Sequence, residues 1–485
     1  MSLSDKMFKG LAWSMLERLS VQGIQFVLGI ILARILSPTE YGTIGLLTVI
    51  IAFLQVFVDS GFSKALIQKQ DRTHIDISTV FFFNVFISFI CYIILWFSAP
   101  FIANFYQNEM LTNLMRVLSL SLLFSALFTV PMTLFTIELN FKAIARTNLI
   151  AVVLSGGIGV VMAYKGFGVW ALVWQTIIKS MLMVILMWGQ MKWKPLFVFS
   201  RISFKALFPY GSRLLVASLL NTVINNFSNL FIAKLSSARD LGFYTRGTQF
   251  ADMVYGMFSS VLDSVLLPSL ASIQEEKEKL IQLTRTTIKA AALIVAPVLI
   301  GLAVIAEPLI KVLLTDKWLM AVPIMQIFCV ARLITIISGI NVNILYAIGR
   351  TDLTFRQDFL KIIIRVVLLV TALRFGIFYI AVAELISTAI HFFINTYYPG
   401  KILKYGAFQQ IKDLFPVIFS SLMMGIGMYF SIFFIENNVL KLIVALMVAT
   451  PIYFGFIYGS NVSEFKIIYD RMKILFSKLK IKNEQ

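Results

Sequence analysis

The chain has 485 residues, 59% hydrophobic and 14% charged, with a formal net charge of +18. Ordinary soluble domains hold about 25% charged residues, and here the apolar residues come in runs of about 20, the length that crosses a bilayer. An all-α integral membrane protein is the expected class. A nucleic-acid reader is excluded, because the basic residues are scattered over short loops without a binding module.

Runs long enough to cross about 30 Å of hydrocarbon at about 1.5 Å per residue predict spans near 10–36, 43–63, 77–99, 111–137, 148–164, 168–190, 207–235, 242–268, 286–305, 320–348, 357–373, 376–398, 413–434 and 439–459. The expected count is about fourteen transmembrane helices. The first run is too long for a cleaved signal peptide and is interrupted by Glu17 and Arg18, so it is read as the first span. On its face lie Arg18, Gln22, Gln25 and Gly29, spaced 4, 3, 4 as one side of a helix requires.

Every second connection is basic. Lys64, Lys69 and Arg72 follow span 2, Lys142 and Arg146 follow span 4, and Lys192, Lys194, Arg201 and Lys205 follow span 6. Lys277, Lys279 and Arg285, then Arg350 and Arg356, then Lys401, Lys404 and Lys412 continue the alternation. The intervening turns at 37–42 and 100–110 hold no Lys or Arg, and the other outward loops only a few. Basic loops stay cytoplasmic, so both termini are expected inside, and most of the net charge is orientation signal that also favours anionic lipid headgroups.

A faint internal copy appears at an offset of 200 residues. Ala33-Arg34, Glu40 and Tyr41-Gly42 face Ala233-Lys234, Asp240 and Leu241-Gly242, and the first polar stripe is echoed by Ser218, Thr222, Asn225 and Asn229. Parallel repeats related by an axis along the membrane normal are a common transporter build. The expected organisation is an N-terminal lobe of spans 1–6 (1–190), a cytoplasmic linker (191–206), a C-terminal lobe of spans 7–12 (207–405), an added pair of spans 13 and 14 (406–459) and a basic tail (460–485).

No phosphate-cradling glycine loop with Lys is present, His74 and His391 cannot build a His-rich metal site, and Cys91 and Cys329 lie inside apolar runs. No enzyme, metal or cofactor is therefore expected. Charge at membrane depth remains, and such residues are functional candidates because they are costly away from a cavity or partner. Arg18, Asp252, Arg332 and Glu384 fall roughly 12 to 18 Å deep by residue count, with Arg365 about as deep from the inner side. Asp59 and Asp263 lie nearer the inner face, Arg34 and Arg116 nearer the outer. The polar residues of span 7 have an alternative role as interhelical hydrogen-bond glue.

Three deep arginines outnumber the two nearby acids Asp252 and Glu384, and an excess of cation inside a membrane calls for an anion. Arg suits phosphate, which its planar fork binds through paired hydrogen bonds. A lipid-linked pyrophosphate brings such a group to the membrane with sugars that cannot cross hydrocarbon. Gln22, Gln25, Asn225 and Asn229 could meet the sugar hydroxyls, while Asp252 and Glu384 could exchange protons or an ion.

Leu32-Ala33-Arg34-Ile35-Leu36-Ser37-Pro38-Thr39-Glu40-Tyr41-Gly42, Asp59-Ser60-Gly61-Phe62 and Gly242-Phe243-Tyr244-Thr245-Arg246 resemble the polysaccharide transporter family of Wzx-type lipid-linked oligosaccharide flippases. That family lies within the superfamily of multidrug extruders and lipid II flippases. The resemblance implies two six-helix lobes around a central cavity, alternately open to each side and lined by spans 1, 2, 7 and 8. It implies an undecaprenyl-pyrophosphate-linked oligosaccharide as substrate, a bacterial cytoplasmic (inner) membrane setting, and polysaccharide polymerase and chain-length machinery as partners. An ion-coupled drug extruder is the alternative, but one handling organic cations needs an acidic cavity. A membrane glycan polymerase or ligase is expected to carry a large outer loop, which this chain lacks.

Overall fold

Ser37 and Pro38 explain why the first two long helices part where they do. The Ser37 hydroxyl accepts from the Glu40 amide at 3.3 Å while the Glu40 carboxylate accepts from the Ser37 amide at 2.6 Å. Pro38 at the first helical position lacks the amide that would go unpaired there. Two hundred residues on, Ser237 caps the Asp240 amide at 3.0 Å, so the internal copy reproduces a helix-starting device.

The computed structural model describes residues 3–59, 61–460 and 465, with side chains from Ser20 onward, Trp13 before it, and gaps at 224 and within 260–268. The basic tail therefore lies almost wholly outside the described residues. Among those residues the fold is all helical, without a strand. It forms two compact units, Met1–Gly242 and Phe243–Gln485.

The first unit holds α1 (Leu3–Ile35), α2 (Pro38–Asp59), α3 (Phe62–Gln68), α4 (His74–Phe105), α5 (Met110–Leu118), α6 (Leu120–Ile137), α7 (Phe141–Tyr164), α8 (Val169–Gln190) and α9 (Arg201–Leu235). Helix α1 packs on α7, α7 on α8, α4 and α8 on α6, and α2 on α9. The expected second span near 43–63 instead starts at Pro38 and stops at Asp59, because Gly61 takes a positive φ of 69°. The fourth is divided at Ser119, whose hydroxyl donates to the Arg116 carbonyl at 2.9 Å.

Two features of the first unit position its sites. The linker is tied down at the start of α4: the Leu196 amide donates to the Ser78 hydroxyl at 3.0 Å and the Ser200 amide to the Thr79 hydroxyl at 3.1 Å. Helix α9 bends by 45° at residue 224. Beside the bend the Asn226 amide donates to the Thr222 carbonyl at 3.0 Å, a side chain entering the backbone ladder, which is a recognised cause of kinks.

Helix α10 (Ala238–Ala271) begins at the end of the first unit, and the second continues with α11 (Lys277–Val304), α12 (Ala306–Leu313), α13 (Val322–Ala347), α14 (Thr351–Ala372), α15 (Ile377–Leu403), α16 (Ala407–Phe433) and α17 (Asn438–Gly459). Helix α13 packs on α11 and α15, α14 on α15, and α16 on α11 and α17.

Among the described residues ten helices are long and apolar enough to cross a membrane, or eleven with bent α9 counted as one span. The helices in the count of about fourteen but outside this set are α1, α10 and α14. Helix α10 carries Arg239, Asp240, Arg246, Asp252 and Asp263, and α14 carries Asp352, Arg356, Asp358, Lys361 and Arg365. The described apolar stretch of α1 is Ser20–Ile35, shorter than a span. The charged residues of α10 and α14, several of them candidate site residues, also lower the apolar content of these helices.

Candidate functional site

In the second unit the deep charges are drawn together in pairs. Arg332 on α13 donates through Nε to Asp252 Oδ1 on α10 at 2.5 Å. Arg365 on α14 makes a two-pronged contact with Glu384 on α15, Nε to Oε2 at 3.0 Å and an Nη2 to Oε1 approach of 2.8 Å. Arg332 and Glu384 sit on α13 and α15, which pack against each other, so the two pairs belong to neighbouring helices. Of the three arginines expected to outnumber the two acids, Arg332 and Arg365 are each paired, which leaves the expected excess to Arg18. In a medium where an isolated charge costs several kcal/mol or more, each guanidinium collects a carboxylate.

The two pairs differ in how closed they are. The Glu384 side chain is 6% exposed, whereas that of Asp252 is 41% exposed. The Arg332 guanidinium also lies 5.4 Å from the Tyr255 ring and 5.2 Å from that of Phe328, and an aromatic face stabilises a cation without consuming its donors. Arg365 spends its fork on one carboxylate. Arg332 is the arginine better able to accept a second anion.

One helical turn from the Arg365–Glu384 pair a polar chain continues along α14 and α15. Lys361 contacts Asp358 at 2.7 Å and donates to Asn395 Oδ1 at 3.0 Å, and Asn395 donates to the Ser338 hydroxyl on α13 at 2.8 Å. His391 bridges the Ser387 hydroxyl and the Lys361 carbonyl, each at 3.1 Å. The polar side chains of α14 and α15 therefore meet each other.

In the first unit Gln22 and Gln25 are exposed on α1, Asn225 is exposed on α9 and Asn229 is half-buried. The backbone of Arg18 belongs to α1, but its side chain lies outside the described residues. The structure also brings together a cavity of about 480 Å³ from α2, α3, α6 and α9, lined by Gln55, Asp59, Ser125, Thr129, Thr133 and Ser218 among others. The Gln55 amide donates to the Ser125 hydroxyl at 2.6 Å and to Asp59 Oδ1 at 2.9 Å. Thr129 and Thr133 spend their protons on the Ser125 and Thr129 carbonyls at 2.7 and 2.8 Å. Thr129 and Thr133 turn acceptor oxygens to the cavity and Lys64, which also lines it, supplies donors, a mixture suited to a group that both donates and accepts, such as a sugar hydroxyl.

By depth along the sequence Asp59 is one of the shallower acids, and α6 carries no charged residue that singles it out. Its signal was there in Ser125, Thr129 and Thr133, which repeat at intervals of four along one helix face.

A family model for polysaccharide biosynthesis proteins matches residues 31–323, more than half of the chain. The chain belongs to that family. Similar curated proteins include the teichuronic acid biosynthesis protein TuaB of Bacillus subtilis (strain 168), 26% identical over 88% of this chain and 89% of that protein. The lipopolysaccharide biosynthesis protein WzxC of Escherichia coli (strain K12) is 25% identical over 74% of each chain. Among solved structures, the lipid II flippase MurJ in an inward closed conformation superposes with a TM-score of 0.73 at 16% identity, over 93% of this chain and 99% of that one. An inward-facing multidrug resistance MATE transporter superposes with a TM-score of 0.61 at 15% identity, over 81% and 100%. At such identities these likenesses establish the fold. The protein is a multi-pass membrane member of its family. The matched region holds the α1–α2 and α9–α10 turns, the cavity at Gln55 and Asp252, and stops short of Arg332, Arg365 and Glu384.

Proposed function

We propose that this protein is a flippase that moves an undecaprenyl-pyrophosphate-linked oligosaccharide from the cytoplasmic to the outer leaflet of a bacterial cytoplasmic membrane. The observation that carries this reading is the family match over residues 31–323, shared with relatives named for polysaccharide biosynthesis. The relative ExoT of Rhizobium meliloti (strain 1021), 25% identical over 67% of this chain and 66% of that protein, is named a succinoglycan biosynthesis transport protein. The fold shared with a lipid II flippase supports the same class of cargo.

The substrate chemistry fits the groups at hand. A pyrophosphate needs guanidinium donors, for which Arg18, Arg332 and Arg365 are proposed; of the described two, Arg332 has the more exposed carboxylate partner. Sugar hydroxyls would meet Gln22, Gln25, Asn225 and Asn229. Asp252 and Glu384 would exchange a proton or ion as their arginine partners turn to the phosphate, resetting the cycle. About fourteen spans in two six-helix lobes, 1–190 and 207–405, joined by the linker 191–206 and followed by the pair at 406–459, would rock about the cargo. Both termini would lie in the cytoplasm, and the chain would act as a transporter without covalent catalysis, alongside polymerase and chain-length machinery.

The test is complementation of a strain lacking its own flippase. Arg18→Ala and Arg332→Ala are expected to abolish surface polysaccharide while membrane insertion stays at the wild-type level. Normal polysaccharide in both variants would overturn the pyrophosphate role, and export of fluorescent organic cations would favour a drug extruder.

A further inference from the structure

An apolar groove of about 900 Å³ in the first unit is walled by Phe82, Phe86 and Phe89 on α4, Leu123 on α6, Phe199 in the linker and Phe204 on α9, and is also lined by Arg201 and Lys205. The three α4 phenylalanines are spaced 4 and 3 apart and share a helix face. Counting from His74, the first helical residue of α4, they run from about 12 to about 22 Å along the axis. The linker bonds at Ser78 and Thr79 hold the start of α9 beside the start of α4. Arg201 and Lys205 therefore mark the shallow end of the groove, and the phenylalanines lead inward.

The two cations lie one helical turn apart, are exposed, and have no ion-pair or hydrogen-bond partner among the described residues. A bilayer offers apolar chains to any apolar groove. Two unpaired cations at its shallow end add a requirement for a doubly charged head. Leu123 faces the groove and Ser125, two residues on, faces the cavity at Gln55, so the two compartments flank α6 on opposite sides.

We propose that this groove is a docking site for the carrier lipid, a polyprenyl diphosphate, with its isoprenoid chain against Phe82, Phe86 and Phe89 and its diphosphate between Arg201 and Lys205. The inference rests on the proposed flippase function and adds a waiting position for the substrate on the face where the linker lies. Two adjacent cations match a diphosphate better than the single charge of a phosphodiester lipid. One bound carrier would reach both compartments, chain in the groove and sugars toward the cavity.

The test uses the full-length protein in phosphatidylcholine nanodiscs and a benzophenone-bearing farnesyl diphosphate photoprobe, with labelled peptides mapped. Labelling is expected in the peptides around 82–89 and 199–205, to fall at least tenfold in R201E/K205E and to persist in R201K/K205R. Labelling there that is unchanged in R201E/K205E, or equally displaced by phosphatidylglycerol or by inorganic pyrophosphate, overturns the docking site. Labelling confined to other helices sinks the groove while leaving the flippase reading intact. A wild-type protein labelled nowhere counts against both.

Discussion

Gly42 and Gly242, two hundred residues apart, stand backbone to backbone. A Cβ on Gly42 would lie 1.5 Å from the Ala238 carbonyl oxygen and 2.9 Å from the Gly242 nitrogen, and one on Gly242 would lie 1.9 Å from the Pro38 carbonyl oxygen. Small residues permit such approach where lipid provides no hydrophobic push between helices. The copied turns are thus each other's packing partners.

Gly42→Val and Gly242→Val are each expected to lower stability by about 1–3 kcal/mol, the usual cost of overfilling a packed site, and to reduce surface polysaccharide. Gly157→Ala, where a Cβ would meet nothing within 4 Å, serves as the neutral control. Thermal unfolding in detergent reads the difference, and equal midpoints for all three variants would remove the contact's importance.

The closed Arg365–Glu384 pair makes a second prediction. Glu384→Ala leaves a guanidinium without its carboxylate and should cost about 3–5 kcal/mol. Asp252→Ala should cost less, because that carboxylate is 41% exposed against 6% for Glu384. The double variant R365A/E384A should recover part of the loss. Purely additive effects in the double-mutant cycle would show that the pair does not act as a unit.

Asn341 and Gln410 exchange amide hydrogen bonds of 3.0 and 2.7 Å and are both fully buried. Asn341→Leu alone strands the Gln410 Oε1, while Nε2 keeps its bond to the Tyr405 carbonyl at 3.2 Å, and is expected to cost about 1–3 kcal/mol. N341L/Q410L together should be more stable than either single variant. Denaturation of the purified proteins checks the order, which reverses if neither amide depends on the other.

The cavity at Gln55 yields a functional prediction. Ser218→Trp puts an indole into a space of about 480 Å³ bordered by Gln55 and Thr129. Surface polysaccharide is expected to drop at least tenfold with insertion unchanged. Wild-type polysaccharide from this variant would mean that the cargo passes elsewhere.

Much of the fold was legible because its determinants are local. Apolar runs, Pro38 after Ser37 and the alternation of basic loops each act within one or two helical turns. The breaks at Gly61 and Ser119 were missed, since a run of apolar residues reads the same whether the helix through it is continuous or interrupted. The candidate charges were legible as residues, but their pairing was not, because it depends on how the helices pack.

The sequence by itself determined the class of the protein, the polar stripes and the copied turns, because hydropathy, capping and helical spacing depend on near neighbours. Only the tertiary structure decided which charges meet: Arg332 with Asp252 across 80 residues, Arg365 with Glu384 across 19. It also decided that Gln55, Ser125 and Ser218 share one cavity. A side chain's spacing along a helix says which face it occupies, while its partner depends on how the helices pack, and in a medium with little water to solvate a stranded charge that partner sets its role.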